Sequence, residues 1–303
     1  MRVKKKLFFL YNPKSGKGLI KSKLSELIDH FVKAGYETIV YPTQAKGDAY
    51  ERVIEYQAQA DVIVCSGGDG TLDEVVSGLM ACGSETPLGY LPAGSTNDFA
   101  NSLGIPKDMK KAAEAVTHGE ICRCDVGSFN EDTFVYVAAF GLFTDVSYET
   151  SQDLKNVLGH VAYLLEGVKR LLDIKSYYCV IETEEETFEG EFIYGMITNS
   201  RSVGGFKHLT GKNVDMSDGL FEATLIRRPK NPLELNEIVA SLLMAENKSE
   251  MIRSFKTGRL TIKAEEPVIW TLDGEYGGAH NQVRIENRKQ AMRIFLKEWK
   301  ELL

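Results

Sequence analysis

The stretch VCSGGDGTLDEVVSG, residues 64–78, leaves an apolar strand through Gly67, Gly68, Asp69 and Gly70 and enters a helix at once. Glycines let a backbone approach a ligand closely and turn its N–H groups outward. The helix start adds partial positive charge, so the stretch suits a phosphate. Asp69 is the oddity, because a carboxylate repels phosphate. It becomes sensible if Mg2+ sits between the two. Thr71 reads as the helix N-cap, and Glu74, three residues on, completes a capping box. Taken alone, the same residues also suit a tight strand-to-helix turn with Asp69 as turn former.

A second loop, Asn12, Pro13, Lys14, Ser15, Gly16, Lys17 and Gly18, follows a short apolar strand at 7–11. It is not a Walker A loop: Tyr11 stands where the first glycine belongs, and Gly18 where Ser or Thr belongs. It is not a GxGxxG loop either. It still offers backbone N–H groups and two lysines. A third loop, LPAGSTNDFANSLGIP at 91–106, carries Gly94, Ser95, Thr96, Asn97 and Asp98 into a helix. All three should open on the carboxyl edge of one sheet, where ligands of α/β folds bind.

The elements that would position these loops alternate cleanly. Strands are expected at 7–11, 36–41, 62–65 and 88–91, and helices at 20–34, 48–59, 72–80, 97–102 and 109–117. Leu24, Leu27, Ile28 and Phe31 share one face of the first helix. Repeated βα units with apolar strands imply a parallel sheet covered by helices on both faces. After about residue 124 the texture changes. Strands are expected at 134–140, 177–182, 192–198, 220–226, 259–264, 268–272, 282–286 and 292–295. Helices interrupt them only at 154–172 and 232–245, and the first has a long apolar face. Many strands with few helices suggest an antiparallel, sandwich-like second domain. Domains are expected at 1–125, with about 290–303 returning, and at 126–289.

Composition narrows the classes. The chain has 303 residues, 43% hydrophobic and 26% charged, as in an ordinary globular protein. The net charge of −7 argues against a nucleic-acid partner. The five cysteines, Cys65, Cys82, Cys122, Cys124 and Cys179, lack a CxxC spacing and read as reduced structural residues of a cytoplasmic protein. No window reaches the length of a membrane span. The five histidines show no metal-ligand spacing.

The motifs NPKSGKG, SGGDGTLDEVVSG and LPAGSTNDFANSLGIP, in that order and spacing, resemble the catalytic domain of diacylglycerol kinases and of the related sphingosine and ceramide kinases. The resemblance continues through CDVG at 124–127, the segment at 146–169, TNSRSVGGF at 198–206, SDGLFEATLI at 217–226 and LDGEYGG at 272–278. It covers nearly the whole chain. GGDGT alone would be less specific, because NAD kinases resemble it there.

The resemblance implies a three-layer α/β nucleotide domain and a C-terminal β-sandwich domain, with ATP and lipid as substrates. It assigns ATP contacts to Asn12, Pro13, Lys14, Ser15, Gly16, Thr43, Gly68, Asp69, Gly70, Thr71, Leu72, Asp73, Glu74 and Ser95. It assigns a Mg2+-linked acidic network to Asp69, Asp98 and Asp125, and makes Glu275 the general base. A second, structural Mg2+ is placed near Asp215 and Asp218 with the carbonyl of Leu220. Apart from the resemblance, Asp215 and Asp218 read as a polar turn and Glu275 as a hairpin-turn acid. The chain departs from the family at Asp73, usually asparagine, and at Ser95, usually threonine. It also lacks the family's proline in HLTGKNVDM before Ser217-Asp218-Gly219.

The implied activity is ATP- and Mg2+-dependent phosphorylation of diacylglycerol or a similar lipid. The protein would be cytoplasmic and would visit the inner face of the membrane peripherally. An exposed sheet edge could support a homodimer. The rival readings are a kinase of the same fold with a polar acceptor such as NAD, and a non-catalytic nucleotide-binding regulator. Retention of Asp69, Asp98, Asp125 and Glu275 argues against the regulator.

Overall fold

The computed structural model describes residues 5–16, 18–142, 175–201, 214–244 and 249–297. The helix expected at 154–172 lies outside the described residues, as do Lys17 and residues 202–213. The chain divides into two compact units, 1–126 with 288–303, and 127–287.

The first unit alternates as its sequence pattern demands. β1 (Lys5–Tyr11), α1 (Leu19–Lys33), β2 (Tyr36–Pro42), α2 (Asp48–Tyr56), β3 (Val62–Gly67), α3 (Asp69–Ala81) and β4 (Leu88–Pro92) follow in turn. Two further helices follow, α4 (Asp98–Ser102) and α5 (Met109–His118). The parallel sheet runs β4-β3-β1-β2, and the last strand among the described residues, β13 (Glu275–Leu296), adds beside β4 by pairing Ile294 with Leu88. Leu7 to Leu10 and Val62 to Cys65 are buried without a break, as strands covered on both faces must be. On α1, Ile20, Leu27 and Phe31 make the buried stripe, and Gly35, at φ +94°, ends the helix. Asp108 caps α5 by accepting the Lys111 N–H at 2.9 Å. α2 and α3 approach so closely that a Cβ at Gly78 would lie 2.9 Å from the Tyr50 carbonyl oxygen.

Strand order reverses at β1: the chain goes from β1 out to β2, then back across to β3. This is a topological switch point, where loops leave neighbouring strand ends in opposite directions and open a crevice. The loops at 12–18 and 67–71 flank it.

The second unit is antiparallel. β5 (Glu120–Phe129) leads into it and pairs with β6 (Asp132–Phe134). β7 (Val137–Gly141), β8 (Tyr177–Thr183), β9 (Thr187–Thr198), β10 (Phe221–Arg227), β11 (Ile252–Thr257) and β12 (Arg259–Leu272) follow, with α6 (Pro232–Met244) after β10. β9 and β12 are long strands. Each pairs with β8 along one half and with β7 along the other, so β7 and β8 lie end to end between them. The sheet therefore runs β11-β10-β9-(β7, β8)-β12-β13. Its core holds Phe129, Phe134, Phe140, Phe192, Phe221 and Trp270, all fully buried.

Two expected breaks are absent. Residues 259–272 form one strand with a register shift between Lys263 and Val268, and 275–296 form another. The polar and proline residues near 265–267 are absorbed by that irregularity rather than ending the strand. The segment at 134–140, expected as one strand, is divided between β6 and β7. No helix among the described residues is long and apolar enough to cross a membrane.

Candidate active site

The three glycine-bearing loops meet at the carboxyl rim of the first unit's sheet. The first and third continue the ladder for one residue, Asn12 N–H donating to Ser66 O and Ala93 N–H to Gly67 O, both at 2.8 Å, as does Thr43 after β2, whose N–H donates to Tyr11 O at 2.9 Å. Beyond that point the loops hold one another. The Ser15 hydroxyl accepts the Gly68 N–H at 3.1 Å, and the Asn12 side chain donates to Thr71 Oγ1 at 3.2 Å. Gly16 has φ +55°, and a Cβ there would sit 2.3 Å from the Ala93 carbonyl oxygen. A Cβ at Gly94 would lie 2.7 Å from Gly68 Cα. Only bare backbone fits at these crossings.

Asn97 locks the third loop. It adopts a left-handed φ of 52°, its Oδ1 accepts the Gly94 N–H at 2.9 Å, and its Nδ2 donates to Gly94 O at 2.8 Å. Tyr90 donates to Gly67 O at 3.2 Å from beneath. Sequence reasoning assigned no role to Asn97; its position before a helix in a Gly-Ser-Thr-Asn run was the available signal.

Asp69 opens α3 and faces the start of α4. Its Oδ2 accepts from Thr96 Oγ1 at 3.5 Å and from the Asp98 N–H at 3.4 Å, both long. Its Oδ1 is buried without a hydrogen-bond partner. Burial, and then the charge of Asp98, push its carboxyl up to about 6, while the backbone N–H groups of Asn97 to Phe99 pull the other way. Two carboxylates brought together, one with an unused buried oxygen, are the donor set a hard cation such as Mg2+ takes. Asp98 is itself buried.

The remaining residues divide. Lys14 and Ser95 are exposed at the rim, and Pro13, Gly70 and Asp73 are half-buried there. Leu72 buries its side chain, and its N–H donates to Gly68 O, so it builds the helix turn. The capping box is a misreading. α3 begins at Asp69, and Glu74 instead accepts the N–H groups of Gly47 and Ala49, at 2.8 and 3.2 Å. It caps the neighbouring helix α2, whose N-cap Gly47 has no side chain to do so. Asp125 is fully buried in β5 and accepts the Gln290 N–H at 2.7 Å.

In the second unit, Glu275 is exposed at the first position of β13, opposite Leu272. The turn between them is Asp273-Gly274, with φ +50° and +86°, the left-handed pair of a two-residue hairpin. Asp273 is buried. Its carboxylate accepts the N–H groups of Val135, Tyr136 and Val137, and its carbonyl accepts from the Tyr136 hydroxyl at 3.1 Å. The turn bearing Glu275 is thus anchored by a residue that sequence reasoning did not single out.

Asp215 and Asp218 lie in the loop before β10. Asp215 Oδ1 accepts from the Ser217 N–H and hydroxyl, at 3.0 and 2.8 Å; Asp218 Oδ1 accepts the Leu220 N–H at 2.8 Å. Asp218 Oδ2 is 3.4 Å from the Lys256 ammonium. No group of three or more His, Cys, Asp or Glu poised for a metal occurs among the described residues.

Comparison with known proteins bears on this geometry. Residues 6–129 match the model of the diacylglycerol kinase catalytic domain. A protein of Bacillus subtilis (strain 168) named diacylglycerol kinase is 35% identical over 277 residues, covering 90% of this chain and 91% of that one. A diacylglycerol kinase of Staphylococcus carnosus (strain TM300) is 34% identical over 91% of this chain and 90% of its own. The crystal structure of a protein from Bacillus anthracis str. Sterne superposes with a TM-score of 0.80 at 23% identity. It covers 97% of this chain and 98% of its own, which shows a shared fold.

Proposed function

The chain belongs to the diacylglycerol kinase family and so is an ATP-dependent kinase, and on that premise we propose that it phosphorylates the hydroxyl of diacylglycerol or a similar lipid. The observation that carries this reading is Asp69: a half-buried carboxylate with one buried, unused oxygen, set where three glycine-bearing loops cross at a switch point.

The residues take these parts. Asn12, Ser15 and the bare backbone at Gly16, Gly68 and Gly70 cradle the phosphates, with Lys14, Thr43, Thr71, Asp73 and Ser95 around them. Asp69 and Asp98 would hold Mg2+, with Asp125 in the same acidic network; when bound, the ion neutralises charge on the phosphoryl oxygens. Glu275 takes the proton of the acceptor hydroxyl as its oxygen attacks the γ-phosphorus and the bond to the bridging oxygen of ADP breaks. Asp215, Asp218 and the Leu220 carbonyl form a second cation site. The lipid acceptor requires the enzyme to visit a membrane surface. Tyr276, 73% exposed beside Glu275, supports such a contact.

Labelled ATP offered with diacylglycerol, a sphingoid base and NAD, each separately, tests the acceptor. Label is expected in phosphatidic acid. Transfer to NAD alone, or to none of them, overturns the reading. Glu275→Gln is expected to lower kcat by roughly 10²–10⁴-fold while leaving the KM for ATP nearly unchanged. Unaltered turnover removes Glu275 from the mechanism.

A further inference from the structure

The strand register places Glu222 of β10 directly opposite Lys256 of β11. Alternation along β10 sends Phe221, Ala223 and Leu225 into the core and turns Glu222 and Thr224 to the other face. Glu222 is nevertheless only 7% exposed. The Lys256 ammonium lies 3.0 Å from Glu222 Oε1 and 3.4 Å from Asp218 Oδ2, joining the strand to the acidic loop that precedes it. Glu222 Oε2 is buried without a hydrogen-bond partner. Asp218 therefore has one carboxylate oxygen on the Leu220 N–H and the other facing an ammonium. Asp215 is bound into its own turn by Ser217. The loop already contains a cation, delivered by the neighbouring strand at a fixed register.

We propose that Lys256 is the resident cation of the Asp218 loop, and that a divalent ion binds there only by displacing the ammonium from Asp218. The proposal rests on the reading of Asp215, Asp218 and Leu220 as a second cation site. Two cations on one carboxylate repel each other, and the attraction of Asp218 and Glu222 for Lys256 must be given up before a second cation gains it. The chain would thus carry a self-satisfied version of the site. Its β10 loop is held together without metal, and its affinity for Mg2+ is set by how readily Lys256 swings aside.

Thermal unfolding of the full chain without nucleotide, titrated with MgCl2 from an EDTA-treated start, tests this. Asp69→Asn is present throughout to silence the first site. Lys256→Met and Lys256→Gln are expected to melt lower than the parent in EDTA and to recover in Mg2+. Their midpoints should fall at a Mg2+ concentration at least ~10-fold below the parent's. Lys256→Arg, which keeps the charge, should behave as the parent. Asp218→Asn added to Lys256→Met should abolish the Mg2+ response. A shared midpoint for parent and Lys256→Met, with the response still lost on Asp218→Asn, overturns the competition but leaves the metal site. No Mg2+ response in any variant overturns both the competition and the site, and leaves the acceptor assay to judge the kinase reading separately.

Discussion

Asp69 is a carboxylate whose own surroundings oppose its charge. Burial and Asp98 raise it to about 6. A carboxyl whose folded pKa lies above its unfolded value, near 4, favours folding when protonated, and that contribution is lost as pH climbs from about 4 through about 6. Asp69→Asn removes the cost of the charged form. Metal-free protein carrying it should melt about 3–6 °C higher than wild type above pH 6, with the difference vanishing below pH 4, while phosphoryl transfer is lost. Calorimetry across pH checks this, and a variant less stable than wild type at pH 7 would contradict it. The glycines and acids that bring Asp69 to notice were legible locally. Asp273 was not. It reads as an ordinary turn residue, and its importance lies in N–H groups 136 to 138 residues away. Glu74 was legible as a cap but assigned to the wrong helix, because its partners Gly47 and Ala49 come from another βα unit.

At the scale of elements, the site is a crossing of three loops rather than any one of them. A methyl group at Gly16 or Gly94 would enter a backbone from a different loop. Gly16→Ala and Gly94→Ala should therefore raise the KM for ATP by about 10-fold or more and destabilise the chain by about 1–3 kcal/mol. Gly83 also has a positive φ, of 62°, but a Cβ there meets nothing within 4 Å. Gly83→Ala should cost only about 1 kcal/mol of backbone strain and leave the KM alone. Steady-state kinetics on these variants separates the crossing from the strain; equal KM changes in all of them would refute the argument. Most elements were readable from periodicity, most clearly the buried parallel strands, but β5 and β11 were not expected as strands. The long strands β12 and β13 were not readable as single strands. Local polarity at 265–267 and 287–291 looked like punctuation, whereas pairing partners on both sides carry β12 through its irregularity, and Asp125 binds the N–H of Gln290, at φ +54°, within β13.

For the molecule as a whole, the first unit is completed by the second half of β13. Met292, Ile294 and Leu296 are buried at 1%, 0% and 2% exposure, and a Cβ at Gly119 would lie 2.2 Å from the Leu296 carbonyl oxygen. A chain ending at residue 287 loses those side chains, worth roughly 2 kcal/mol each, and the Gln290 N–H on which Asp125 rests. That loss is comparable to the whole stability of a typical domain. Such a truncation should leave the first unit open to limited proteolysis, whereas a chain ending at 297 should resist it; equal resistance would show that the strand is dispensable. The amino-acid sequence by itself determined the order of the loops, the change from alternating βα units to strands, and the resemblance to a family of kinases. These rest on residue type and short-range spacing, which a chain displays before it folds. Only the tertiary structure decided which polar groups serve the scaffold and which remain for a ligand. A carboxylate's role is set by what faces it, and for Glu74, Asp273 and Glu222 what faces it is backbone or ammonium from another part of the chain.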